Sequence, residues 1–251
     1  MNTPSGRVSS RGAVRSFIRI TATGGLSLLG VGVNDPQHPD HHSHHPAGYS
    51  LPFHRPLNLN YFRSRARMIA LCVGHSRQGD SGASSVDGTT EWDYNCDLAE
   101  KIASKTRQEI HIYNAYAGSG YTSAMRWLAK KLKKDGAEFA IELHFNAAGA
   151  SATGHEWLYW DTSEKGRLLA RSLRDSMEDS FPQLTSRGIK GRGKGSRGAS
   201  FLRLTHCPAV IAEPFFGTNT DDWQLATAHK DGLATAITGG IVLYNELASK
   251  W

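Results

Sequence analysis

The chain has 251 residues, 39% of them hydrophobic, enough for one full-sized domain with a buried core and a tail besides. The net charge of +6 would suggest an anionic partner, but residues 1–67 hold eight arginines, no lysine and just two acids, Asp35 and Asp40, so the remainder is neutral and a nucleic-acid-binding role is disfavoured. No run approaches the ~18 apolar residues of a membrane span, which argues against stable membrane insertion.

Three cysteines, Cys72, Cys96 and Cys207, are an odd number at no metal-like spacing. They read as free thiols of a protein folded in a reducing compartment.

Residues 1–67 have scattered arginines, a low-complexity "HPDHHSHHPAG" tract and no sustained period of 2 or 3.6. They are expected to be a disordered Arg/His-rich leader, with adventitious metal binding at the His tract. "RSFIRITATGGLSLLGVGV" has basic flanks, but glycines interrupt it and a clear cleavage site is missing, so export is the weaker alternative. The composition changes at Met68, which is a candidate natural start. The domain is expected to run over 68–251.

From there the pattern is regular. "MIALCVG" (68–74) reads as a buried strand. Thr90 caps a helix opening at Glu91, with Asp93 placed as in a capping box and Leu98, Ala99 and Ile102 on its apolar face. "EIHIY" (109–113) is a strand. Met125, Leu128, Ala129 and Leu132 follow helical spacing and predict a helix over 122–134. "EFAIELH" (138–144) and "HEWLYW" (155–160) are strands, and Ser163 starts a helix carrying Leu169, Leu173 and Met177. "FLRL" (201–204) and "PAVIAE" (208–213) read as short strands. A final helix is expected over 221–248, with Leu233, Ile237, Ile241 and Tyr244 on one face. Alternating strands and amphipathic helices, without internal repeats, predict an α/β fold: a central sheet flanked by helices on both faces.

In open α/β sheets ligands sit beyond the carboxyl ends of strands. Three strands here end in residues that bind metals or move protons: His75, His144 and Glu213. A fourth such residue, Glu91, opens a helix after the polar loop "SRQGDSGASSVDGTT". Taken singly, each has a plain structural explanation. A strand-end histidine is often solvated or packed, and a glutamate in a first helical turn is favoured by the helix dipole. Together, two histidines and a carboxylate satisfy a catalytic zinc site with an open position for water, and a further carboxylate supplies a general base.

The segments "VGH", "TEWDYNCDLA", "ELHFNA", "GHEWLYW", "RGIK" and "PAVIAEPFFGTN", in that order, resemble the zinc-dependent N-acetylmuramoyl-L-alanine amidases of the amidase-3 type, and most nearly the single-domain phage lysis enzymes among them. The resemblance spans about residues 68–245. It implies that His75, Glu91 and His144 are zinc ligands, that Glu213 is the catalytic glutamate, and that the substrate is peptidoglycan, cut at the amide between N-acetylmuramic acid and L-alanine. With no convincing signal peptide, such an enzyme is expected to accumulate in the cytoplasm until release to the cell wall or periplasm.

Asn146, Arg187 and Lys190 are expected substrate contacts, because stem peptides carry carboxylates that cations hold. The alternative for "RGIKGRGKGSRGAS" (187–200) is a solvated, mobile loop. Trp92, Trp157 and Trp160 are either groove-lining or core residues. Two other activities stay open: a zinc peptidase cutting within the stem peptide, and a non-catalytic wall-binding module.

Overall fold

A computed structural model describes residues 68–76, 79–196 and 198–250. The leader expected over 1–67 lies outside the described residues. Six strands form one sheet: β1 (Ile69–Val73), β2 (Ile110–Tyr113), β3 (Phe139–Leu143), β4 (His155–Trp160), β5 (Ser186–Arg192) and β6 (Ala209–Glu213), in the spatial order β2-β1-β3-β6-β4-β5. The first four positions run parallel. β4 is antiparallel to β6, and β5 runs parallel to β4, so the sheet is mixed. The carboxyl ends of β1, β3 and β6 therefore lie at the same end of the sheet as the amino ends of β4 and β5.

The helices are α1 (Glu91–Ser104), α2 (Tyr121–Asp135), α3 (Glu164–Ser180), α4 (Ala199–Leu204), α5 (Thr220–Ala228) and α6 (Lys230–Ala248). Side chains alternate across a strand, so each strand feeds two cores. On one face Ile69, Leu71, Phe139, Ile141 and Val210 pack with Leu98 of α1, Leu173 of α3 and Ile237 of α6. On the other, Ala70, Cys72, Ala140 and Ile211 pack with Met125 and Leu128 of α2 and Phe201 of α4. The expected two-faced α/β architecture is thus present. Cys72, Cys96 and Cys207 form no disulfide with one another, and Cys72 is fully buried. Among the described residues no helix is long and apolar enough to cross a membrane.

Three assignments differ from the sequence reading. "FLRL" is helical: Phe201 and Leu202, adjacent in sequence, are both buried in the same core, which a strand's alternation cannot achieve. The expected last helix is two, broken at His229 (φ −122°, ψ 31°), where the apolar positions lapse between Ala226 and Leu233 and Asn219 caps the first piece. "SRGIKGR" is not a loop but the edge strand β5, paired in parallel with β4. Its glycines and charges hid it because an edge strand buries little.

Candidate active site

The first turn of α1 brings a carboxylate between two histidines. Thr90 accepts from the Asp93 N–H at 3.2 Å and starts the helix, and Glu91 follows, 4% exposed. Glu91 Oε1 lies 2.7 Å from His144 Nδ1 and accepts from the Phe145 N–H at 3.1 Å. Its Oε2 lies 3.4 Å from His75 Nε2 and accepts from the Ala83 N–H at 3.1 Å. His75 comes one turn past β1 and His144 directly after β3. Their rings meet edge to face, 5.0 Å apart. His75 has φ 66°, the one positive value of a non-glycine among the described residues. Such a conformation costs about 1–3 kcal/mol and persists where the surroundings demand it.

Two glycines make room. A Cβ on Gly74 would fall 2.2 Å from His144 Cε1, and one on Gly82 would fall 2.7 Å from both Glu91 Oε2 and His75 Cδ2.

Donor atoms of His75, Glu91 and His144 all lie within 4.8 Å of one another. Two imidazole nitrogens from strand ends and one carboxylate oxygen from the first turn of α1 form a donor set that can hold a divalent metal. The charges agree with that. Burial alone would raise Glu91, but hydrogen bonds from His144 and His75 bring it down to about 2. Burial would lower His144, yet Glu142 and Glu91 push its pKa well above the ordinary value. Glu91 and Glu142 both lie against His144, so carboxylate charge collects at this spot.

Across the sheet end the polar residues form a row. Leu143 pairs with Ala212, which puts His144 and Glu213 next in register, and the His144 N–H donates to Ala212 O at 3.0 Å. Glu213 pairs in turn with Glu156 of β4. Glu213 Oε2 is enclosed without a hydrogen-bond partner among the described residues. Burial raises its pKa to about 8; the His144 charge works against this and the neighbouring carboxylates reinforce it.

Glu156 is answered from β5: Arg187 Nε donates to its Oε2 at 2.9 Å and Lys190 Nζ at 2.5 Å, while Arg187 also lies over the Phe216 ring at 5.0 Å. Burial would raise Glu156, but these two cations hold it below the usual carboxylate range. Asn146 is half-buried at the loop after β3. Its N–H donates to Phe215 O at 2.8 Å, and its Oδ1 accepts from the Ala147 N–H at 3.0 Å.

The family model described as N-acetylmuramoyl-L-alanine amidase (Amidase_3) matches residues 69–242. The chain belongs to this family. It is an enzyme, a peptidoglycan amidase, as the sequence resemblance implied.

Among solved structures, the amidase is similar to an N-acetylmuramoyl-L-alanine amidase from Clostridium difficile 630 (25% identity, TM-score 0.62, covering 73% of this chain and 98% of that one). It is also similar to the catalytic domain of the CD27L endolysin targeting Clostridia Difficile (26% identity, TM-score 0.60, covering 70% and 97%). The fold is shared with AmiC2 of Nostoc punctiforme, at 20% identity and TM-score 0.62, covering 73% and 99%. A curated relative, the uncharacterized protein YqiI of Bacillus subtilis (strain 168), is 25% identical over 184 residues, 71% of this chain and 84% of that protein.

Of the residues singled out from the amidase sequence, the structure gathers His75, Glu91 and His144, and sets Glu213 beside them. Arg187 and Lys190 stand two strands from Glu213 with their cations on Glu156. Trp157 is fully buried core, while Trp92 donates to Asn114 O. The sequence reading passed over Asp80, Glu142 and Glu156. The signal for Glu142 was present: an acid inside an apolar strand, two residues before His144, shares that residue's face.

Proposed function

We propose that His75, Glu91 and His144 hold a zinc ion and that Glu213 is the proton-transferring group in hydrolysis of the N-acetylmuramoyl–L-alanine amide. The enclosed, unpartnered Oε2 of Glu213 beside the His75–Glu91–His144 cluster carries this reading. Zinc held there would supply a Lewis acid that polarises the scissile carbonyl, acidifies water and, as the nearest positive charge, draws Glu213 toward its ionised form.

Glu213 then takes a proton from the attacking water at Oε2 and passes one to the leaving nitrogen, so that one water and one amide become a carboxylic acid and an amine. A carboxylate suits both steps because it can accept a proton and release it again at an enclosed position beside the cluster. Glu91 keeps both histidine rings aimed inward. Arg187 and Lys190 share one carboxylate between two cations, which leaves positive charge at the cleft edge for an acidic group of the stem peptide. Asn146 lines the same end through its loop.

Similarity to the CD27L endolysin catalytic domain supports a lysis role, phage-type, in which the enzyme accumulates in the cytoplasm before reaching the wall. The test is digestion of purified peptidoglycan by protein stripped with a chelator and resupplied with zinc, with the new ends read by mass spectrometry. Zinc-dependent release of stem peptides with free L-alanine amines is expected. New ends within the peptide would move the assignment to a peptidase, and intact wall carrying bound protein to a binding module.

A further inference from the structure

Glu142 is the residue of this site that packing does not explain. It lies in β3, which β1 and β6 flank on either side and which is buried along its whole length. Glu142 is 2% exposed, paired with Cys72 of β1 and Ile211 of β6, at a position where its neighbours in the core are apolar. Desolvating a carboxylate there is costly. Among the described residues no lysine or arginine forms an ion pair with it. His144 does, with Nε2 3.4 Å from Glu142 Oε2, an ion-pair separation rather than a tight hydrogen bond.

The two histidines are arranged alike. Each ring points one nitrogen at Glu91 and the other at an outer carboxylate: His75 Nδ1 lies 2.9 Å from Asp80 Oδ1, as His144 Nε2 faces Glu142. Asp80 is largely in solvent, so its hold is screened, whereas Glu142 is enclosed and acts at full strength. The His144 ring is also pressed by the Gly74 backbone, where even a methyl group would collide with it. Backbone on one side and a buried acid on the other leave the ring one orientation.

We propose that Glu142 is a positioning residue of the metal site: its enclosed carboxylate faces Nε2 of His144 and favours the proton on that nitrogen, so that Nδ1 is the nitrogen offered alongside Glu91. This rests on the zinc reading above. A ligating histidine whose far nitrogen is bound to a carboxylate is fixed in tautomer and orientation, and losing such a partner costs roughly 10–100-fold in metal affinity.

The experiment compares wild type with E142Q and E142A. Zinc affinity is measured by competition with a chromophoric chelator, ligand geometry by the visible spectrum of the cobalt-substituted protein, and stability by urea unfolding of the metal-free protein. The expected result has three parts. The metal-free variants unfold cooperatively in urea, which separates a change in metal affinity from loss of the fold. E142A binds zinc about 10–100-fold more weakly with an altered cobalt spectrum. E142Q falls in between, since its amide oxygen still presents a partial negative charge to Nε2.

Wild-type zinc affinity and cobalt spectrum in both variants would overturn the proposal while leaving the zinc reading intact. A wild-type protein that binds no zinc would overturn both. If E142A does not fold, E142Q decides by the same criteria; if neither folds, Glu142 is structural and the proposal falls.

Discussion

His144 Nδ1 lies 2.7 Å from Glu91 Oε1, joining the end of the central strand β3 to the first residue of α1, 53 positions earlier in the chain. The same carboxylate accepts the backbone N–H groups of Phe145 and Ala83, so it fastens the β3 exit and the Gly-rich loop as well as the histidines. Glu91→Ala should therefore lose zinc and also cost at least about 1–3 kcal/mol of metal-free stability, the penalty of an orphaned buried donor. Glu91→Gln keeps part of the backbone bonding and should separate the two effects. Chelator competition and urea unfolding measure them, and an Ala variant as stable as wild type would show that Glu91 does not brace the loop.

Glu213→Gln should lower kcat by roughly 100- to 10,000-fold, the usual worth of a positioned acid–base group, while zinc stoichiometry stays at the wild-type level. Steady-state assays on soluble peptidoglycan fragments, with metal analysis of the same sample, test this. Wall digestion at the normal rate would remove Glu213 from the chemistry.

The metal-free protein carries a pH signature of the same residue. With Glu213 near 8 in the fold and about 4.5 when unfolded, the folded state binds the extra proton between these values. Stability therefore falls as pH rises from about 4.5 to about 8 and levels off above. Glu213→Gln lacks this titration, so its stability relative to wild type should climb across that window by on the order of a few kcal/mol and then plateau. Urea titrations at pH 5, 7 and 8.5 read it directly. A difference that stays flat with pH would mean that Glu213 titrates normally.

Gly74→Ala tests the space around the His144 ring. The new methyl group would start 2.2 Å from Cε1, so the ring or strand must move, at a cost of about 1–3 kcal/mol. Zinc affinity should fall along with stability. Unchanged zinc binding would show that the ring has more freedom than the packing allows.

Lys190→Ala should raise KM with little change in kcat, as expected for a group that holds substrate without acting on the reacting bond. The effect should disappear on stem peptides whose acidic groups are amidated. Glu156 keeps Arg187 as a partner, which limits the structural cost. A fall in kcat with unchanged KM would place Lys190 in the chemistry instead.

Much of this molecule was legible along the chain. The strand 138–144 was readable as a short, mostly apolar run buried throughout, and the helix 122–134 because burial at a 3.6-residue period leaves a local trace. The helix start at Glu91 was readable because Thr90 and Asp93 form a cap in four residues. His75, Glu91, His144 and Glu213 were singled out at element ends, where ligands of α/β folds collect, and the structure brings them together. What resisted was whatever depends on neighbours distant in sequence. "FLRL" is too short for periodicity to separate a strand from a turn of helix, and the second core settles it by burying Phe201 and Leu202 together. The strand β5 buries so little that its glycines and cations read as loop, until pairing with β4 fixes it.

Glu142 and Glu156 show the division most clearly. Composition marks each as a charge inside a strand and says nothing of what answers it. The order β3-β6-β4-β5 brings His144, Glu213 and Glu156 into one row, which Lys190 reaches from β5 through its side chain. The sequence by itself thus determined the elements and the kinds of donor that this amidase carries. The tertiary structure decided which charges meet, because strand order and register are set by burial summed over the whole sheet, and no local stretch of chain contains that sum.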